Sequence, residues 1–329
     1  MSRYRRGQRR ARAATLSGAL LALGGLAGAG ALAYAVWVEP DWIEVKEVSL
    51  TLPRLPRAFH GYRLAHISDL HAGKFLPDER LDRVVDLVNA QEPDLVAMTG
   101  DFVTRVYRGA PKDIVPAMRR LQARDGVVAI LGNHDYWGSQ GPDLMRQVIT
   151  ASGLIDLNNK VHTVERDGEH LYIAGIDSVR EGNNRLDLVL KELPQEGAAI
   201  LLAHEPDFAD VAARTRRFDL QISGHAHGGQ AVIPGLGSPA LPVLGRKYWR
   251  GHYMVEDMHL YVNRGIGMVR LPVRFLARPE ITVYTLEAPA QPIRALGPCR
   301  LARSAARRSW WCWGAGAPCS CRGSRPRRV

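Results

Sequence analysis

Three features of this 329-residue chain predict an α/β core. Short apolar runs alternate with amphipathic stretches through the middle of the sequence, the pattern of strand–helix units. Five of those runs end in Asp, Asn or His, most with glycine alongside. The body that carries them has no cysteine; Cys299, Cys312, Cys319 and Cys321 all lie near the carboxyl end. It therefore needs no disulfide and has no thiolate to offer a metal.

The elements follow in order. Residues 1–15 hold six arginines and no acid, and 16–38 is an uncharged run from Leu16 to Val38. As a helix at 1.5 Å per residue, the run is about 35 Å long, enough to cross a bilayer with some tilt. Tyr34 and Trp37 fall at its far end, where interfacial aromatics belong, and the arginines place the amino terminus in the cytoplasm. A single-pass anchor with an extracytoplasmic body is the expectation. A cleaved signal peptide competes with it, because Ala31-Leu-Ala33 and Ala33-Tyr-Ala35 have the small-x-small form.

The body is expected over 39–287. Trp42–Leu52 reads as a first strand, and Tyr62–Ile67 as a second that runs into Asp69 and His71. Pro77-Asp78 opens a helix with Leu81, Val84, Val85 and Val88 on one face. Leu95–Thr99 is a buried strand ending at Gly100-Asp101. A second amphipathic helix is expected around Ile114, Ala117, Met118 and Leu121. Strand Val127–Leu131 runs into Gly132-Asn-His-Asp135. A helix near Leu144–Ala151 and a hairpin-like region lead to Leu171–Gly175, which ends in Ile176-Asp177. Helix Leu186–Leu193 precedes strand Ile200–Ala203, which ends in His204. Helix Phe208–Arg214 precedes Leu220–Ser223, which ends in Gly224-His-Ala-His-Gly-Gly229, and Leu260–Val262 is a further strand. Residues 288–329 form a basic tail with Trp310, Trp311 and Trp313 and no periodicity, read as disordered.

The net charge of +11 suggests a nucleic-acid binder until it is located. Fifteen of the 44 basic residues lie in the two ends; the 29 left in 39–287 face all 33 acids, for a net charge of −4. The basicity belongs to the ends, and no nucleic-acid partner is expected.

Ligands collect at the carboxyl ends of strands in α/β folds. Asp69 and His71, two apart in extended chain, point to one side. With Asp101, Asn133, His204, His225 and His227, they offer more donors than one ion can use while leaving room for substrate. Two ions about 3.5–4 Å apart, bridged by a carboxylate, can use them all. The mixed N/O set suits Mn, Fe, Zn or Co. Such a pair binds phosphate oxygens and turns a bridging water into hydroxide for in-line attack at phosphorus.

Asp69-Leu-His71, Gly100-Asp101, Gly132-Asn-His-Asp135, His204 within Ala-His-Glu-Pro, and Gly224-His-Ala-His227 together resemble the five ordered blocks of the calcineurin-like metallophosphoesterases. The resemblance spans 64–229 and implies a four-layer α/β/β/α sandwich. It implies that Asp69, His71 and His227 hold one metal, Asp101 bridges, and Asn133, His204 and His225 hold the other. It also implies that His134 meets the substrate and serves the leaving oxygen, with Asp135 orienting its ring.

The anchor and the segments after Glu39 and Gly229 resemble an exported or membrane-bound bacterial branch. The expectation is hydrolysis of a phosphodiester or pyrophosphate, on a lipid-linked or cell-envelope molecule. Two alternatives stand beside it: cleavage of UDP-diacylglucosamine in lipid A synthesis, and a catalytically idle, metal-stabilised envelope binding protein. His66 is expected in the core, and His60, His162, His170, His252 and His259 on the surface. Asp177 suits a turn, and Arg264 either a phosphate or a salt bridge. The loop Pro234–Arg250 is read as ordinary packing, against a lid or lipid-contacting role.

Overall fold

The computed structural model describes residues 21–73, 75–104, 114–137 and 141–290. The arginine cluster, the first residues of the apolar run and nearly all of the tail lie outside them.

Two six-stranded sheets form the body. The first contains β1 (Glu44–Thr51), β2 (Tyr62–Ile67), β3 (Leu95–Met98), β4 (Val127–Ala129), β5 (Ile155–Asp156) and β12 (Glu280–Glu287), in the order β1-β12-β2-β3-β4-β5. The second contains β6 (Lys160–Arg166), β7 (Glu169–Gly175), β8 (Ala199–Leu202), β9 (Leu220–Ser223), β10 (Gly251–Val255) and β11 (Met258–Val262), in the order β10-β11-β9-β8-β7-β6. Strands β2, β3, β4 and β5 run parallel, as do β7, β8 and β9, so each sheet turns one set of carboxyl ends to the same edge.

Three separate apolar cores lie between four layers. Leu64, Leu95, Ala97, Val128 and Ile130 of the first sheet meet Leu171, Ile173, Ile200, Leu202 and Ile222 of the second. On the outer face of the first sheet, Ala65, Ile67, Val96 and Met98 meet α2 (Asp78–Asn89), α3 (Val115–Met118) and α4 (Gly141–Ala151). On the outer face of the second, Ala199, Leu201 and Leu260 meet α5 (Leu186–Glu192) and α6 (Ala209–Arg214). Both faces of each central strand are thus covered, which is why these strands read as continuous apolar runs. The expected α/β/β/α sandwich is the fold.

Several details differ from the sequence reading. The helix expected to reach Leu121 is one turn, Val115–Met118, with Pro116 inside its first turn; Leu121 is still buried, but on a turn. The first strand begins at Glu44, because 39–41 form a 3-10 turn. Strand β12 had no expectation at all. It runs parallel to β1 and antiparallel to β2, bringing the end of the domain into the middle of the first sheet.

Before the body comes α1 (Leu21–Asp41), a helix that closes in the 3-10 turn 39–41, long and apolar enough to cross a membrane by length and composition, with its sides exposed. Its far end is fastened down. The Arg274 amide donates to the Ala35 carbonyl at 2.9 Å, Tyr34 meets the edge of Phe275, and the buried Glu39 carboxylate accepts from the amides of Leu276 and Ala277.

Candidate metal centre

The ends of β2, β3 and β4 in the first sheet face those of β8 and β9 in the second, and all seven expected ligand residues are buried there. Asp69, His71, Asp101, His225 and His227 have positive φ, between 47° and 68°. Left-handed backbone costs a residue other than glycine of the order of 1–3 kcal/mol and persists where the surroundings enforce it. The chain turns sharply at each strand end, so that every side chain points back to one place. Glycine is required beside two of them: a Cβ on Gly224 would run into Ser68 and Asp69, and one on Gly132 into Asp101.

The donor atoms form clusters that share residues. Asp69, His71 and His227 make one, and Asp101, His204 and His225 another, while Asp101 and His71 make a third with His134. One Asp101 oxygen lies 3.5 Å from His71 Nε2 and 3.2 Å from His204 Nε2, between the first two clusters. Asp69 Oδ1 is 3.3 Å from His227 Nε2.

Main-chain carbonyls orient several rings. His204 Nδ1–H donates to Thr99 O at 2.6 Å, which turns Nε2 inward towards Asp101. His225 Nε2–H donates to Val243 O at 2.8 Å and turns Nδ1 inward. His134 Nδ1–H donates to Thr104 O at 2.9 Å, and its ring lies against Trp137. Fixing the outer nitrogen in this way is how proteins set the tautomer of a metal-binding or catalytic imidazole.

One expected role is corrected here. Asp135 does not orient His134. Its oxygens accept four main-chain N–H groups, from Gly132, Asp101, Phe102 and Val103, at 2.9–3.3 Å, and so lock the turns after β3 and β4 together. The carbonyl of Thr104 orients the ring instead. No spacing rule reveals a main-chain acceptor that belongs to a loop.

The residues fit divalent cations. His71 Nε2 faces His227 Nε2 at 3.0 Å, and His204 Nε2 faces His225 Nδ1 at 3.2 Å. Burial holds His71 and His227 below the usual imidazole range, and two neutral imidazoles facing each other share at most one proton, so a lone pair is left over there. Asn133 Oδ1 and Nδ2 are buried with no protein partner, which a native site tolerates only when another group is meant to meet them. By themselves the groups are tuned unevenly. Burial pushes Asp69 up to about 6 and His71 down to about 3. Burial also disfavours charge on Asp101 and His204, yet each outweighs it for the other: the carboxylate is held well below its usual range and the imidazole well above.

A cavity of about 720 Å³ opens over this centre. Asp101, His134, His225 and His227 reach its floor, Trp137 its side, and Leu241, Val243, Val269, Leu271 and Val273 its apolar walls. Arg180, Arg246 and Arg270 add positive charge. These three had no sequence signal, since single arginines on irregular loops have no periodicity to betray them. The loop Pro234–Arg250 does more than pack: its middle lines the cavity, although Tyr248 is buried in the body.

Residues 62–229 match the family model described as calcineurin-like phosphoesterase. The chain belongs to that family. This calcineurin-like phosphoesterase is a metal-dependent phosphoesterase. It is 37% identical to the metallophosphoesterase YkuE of Bacillus subtilis over 273 residues, covering 82% of this chain and 94% of that one. It is 26% identical to the phosphodiesterase YaeI of Escherichia coli, covering 79% and 94%. It is also 31% identical to a Danio rerio transmembrane protein with a metallophosphoesterase domain, covering 74% of this chain and 57% of that one.

The residues set aside from the phosphoesterase site fall into place. His66 is core: its ring nitrogens meet Tyr284 Oη at 3.0 Å and Thr99 Oγ1 at 2.8 Å. Arg264 takes the salt-bridge reading, between Glu44 and Glu280. Asp177 binds its own turn through the Ser178 amide and also braces Tyr136 and Arg146 behind the 133–135 turn. His252 and His259 are not isolated, for their rings meet at 2.8 Å across β10 and β11.

Proposed function

We propose that the chain hydrolyses phosphodiester bonds at a two-metal centre, on a lipid-linked or cell-envelope substrate, from a body anchored by α1 on the extracytoplasmic side. Asp69, His71 and His227 would hold one ion, Asn133, His204 and His225 the other, with Asp101 shared. The observation that carries the reading is the Asp101 carboxylate, which stands between two donor clusters on the floor of a cavity. A bound ion pair supplies Lewis-acid stabilisation of phosphoryl oxygens and an activated water.

The chain's own residues do the rest. His134 is held at Nδ1 by Thr104, so Nε2 is the atom that passes a proton to the leaving oxygen. Asp101 Oδ1 accepts the His134 amide at 2.8 Å, which ties the proton donor to the shared carboxylate. Arg180, Arg246 and Arg270 suit the remaining charge of a phosphate ester. The apolar walls favour a diester with an apolar alcohol over a small monoester, in keeping with the phosphodiesterase name of YaeI.

The test is hydrolysis of bis(4-nitrophenyl) phosphate with added Mn²⁺, comparing the wild type with Asp101→Ala and His134→Ala. Asp101→Ala is expected to cut the rate at least about a hundredfold, and His134→Ala to lower it by less, since 4-nitrophenolate leaves with little protonation. Equal rates in all three proteins would end this reading.

A further inference from the structure

Nearly all the exposed large hydrophobic side chains of the described residues lie in one region. Leu188, Val211 and Met254 apart, they are on α1, at Trp42, or on two loops, 231–243 and 269–276. Leu236 is 82% exposed and Leu271 63%. Contiguous apolar surface of this kind marks an interface with something apolar.

The main chain fixes where these loops stand. The Phe275 amide donates to Gln230 O and the Val232 amide to Phe275 O, so that 231 and 275 are bridged. Ile233 pairs with Gly237 in the turn that projects Leu236. Segment 274–277 is in turn bonded to α1 at Ala35 and Glu39, and Phe275 touches Tyr34. Ile233, Leu236, Leu271 and Leu276 are therefore joined, through a few bonds, to the end of α1 that carries Tyr34 and Trp37. If α1 spans a bilayer, those aromatics lie at the headgroup level, and the loops lie there with them.

Charge points the same way. Segments 230–250 and 262–279 contain no Asp or Glu, in a body whose net charge is −4. Of their seven cations Arg274 is buried, Arg264 is paired with Glu44 and Glu280, and Lys247 with Asp210. That leaves Arg246, Arg250, Arg270 and Arg278 with no carboxylate partner among the described residues. Arg250 stacks on Trp249 and Arg278 on Trp42, an aromatic–cation pairing suited to a headgroup layer.

We propose that loops 231–237 and 269–276 form a lip that enters the surface of an anionic bilayer beside α1, so that the cavity over the metal centre opens at the lipid interface. Leu271 and Val273 belong to both the loops and the cavity wall, which makes the path from bilayer to metal centre continuous. Acyl chains of a substrate can then stay in the bilayer while the phosphate reaches Asp101 and His134. The inference rests on the anchored reading above and adds the surface through which the substrate arrives.

The test places a benzophenone photoprobe at single positions in the full-length chain, reconstituted into phosphatidylglycerol/phosphatidylethanolamine vesicles. Lipid adducts are expected at positions 37, 233 and 236, and none at 188. Ile233→Asp with Leu236→Asp is expected to cut the adduct formed by a probe at position 271 at least fivefold. The rate on bis(4-nitrophenyl) phosphate should stay within twofold, since neither residue lines the cavity. Adducts at 37 without any at 233 and 236, or equal adducts at 188, would overturn the lip. Photolabelling needs no turnover, so its outcome is independent of whether the diester is cleaved.

Discussion

The two sheets contribute unlike halves of the centre. The first supplies all the oxygen and amide donors, Asp69, Asp101 and Asn133, with one imidazole, His71, and the second supplies imidazoles alone, His204, His225 and His227. The first half is braced from within, because Asp135 gathers four amides from the turns after β3 and β4. The second half borrows its orientation: His204 is aimed by Thr99 of the first sheet, and His225 by Val243 of a loop that lines the cavity. Asp69 accepts the His225 amide across the seam. Charge is held rigidly in one sheet, while the nitrogens that complete it, His71 apart, are positioned only once the sheets have packed.

The sharpest way to break this asymmetry is at the shared residue. Asp101→Asn keeps the shape and removes the charge that both donor clusters face. Its expected effect is a loss of at least about a thousandfold in kcat, equivalent to about 4 kcal/mol. Bound metal should fall below two per chain by elemental analysis. A variant that retained both the metal and the rate would show that the halves do not depend on a common carboxylate.

Next comes the brace. Asp135→Ala leaves the amides of Gly132, Asp101, Phe102 and Val103 without their acceptor, and buried unpaired amides cost about 1–3 kcal/mol each. Even with water relieving part of this, a loss of at least about 3 kcal/mol is expected in denaturant unfolding. His134 should retain its bond to Thr104. If Asp135 acted only on the ring of His134, activity would fall without such a loss of stability.

Much of this was legible beforehand. The core strands could be read because both of their faces are covered, which writes continuous apolar runs such as Leu95-Val-Ala-Met98 into the sequence. The seven expected ligand residues stood out because each follows such a run. Strand β12 did not, because its partners β1 and β2 lie at the other end of the domain and nothing local announces the pairing. The work of Asp135 was misread for a similar reason. Its neighbour in sequence is His134, but its partners lie mostly on another turn, brought close by the left-handed backbone at Asp101. Thr104 and Val243 act through carbonyl oxygens, which every residue has and no motif encodes.

A milder substitution separates proton transfer from metal binding. His134→Gln is expected to lower kcat about a hundredfold on a diester with a poor leaving group. The deficit should shrink for a 4-nitrophenyl leaving group, which needs little protonation, and metal content should not change. A deficit independent of the leaving group would recast His134 as a ligand of the cluster it shares with His71 and Asp101.

The smallest expected effect concerns His66, a histidine of the first sheet that takes no part in the centre. Burial pushes its pKa down to about 3, so it stays neutral in the folded chain while the unfolded chain protonates near 6.5. Its contribution to stability is therefore complete above pH 6.5 and is lost as the pH falls from there towards 3. Within that window, one proton changes the slope by about 1.4 kcal/mol per pH unit. Substituting His66→Gln, which can still hydrogen-bond Thr99 and Tyr284, should flatten the acid limb by that one proton and leave stability at pH 8 nearly unchanged. Denaturant unfolding from pH 8 to 4 measures both, with metal chelated so that ligand titration is the same in the two proteins. An unchanged acid limb would mean that the acid sensitivity of the fold resides wholly in the imidazoles at the seam.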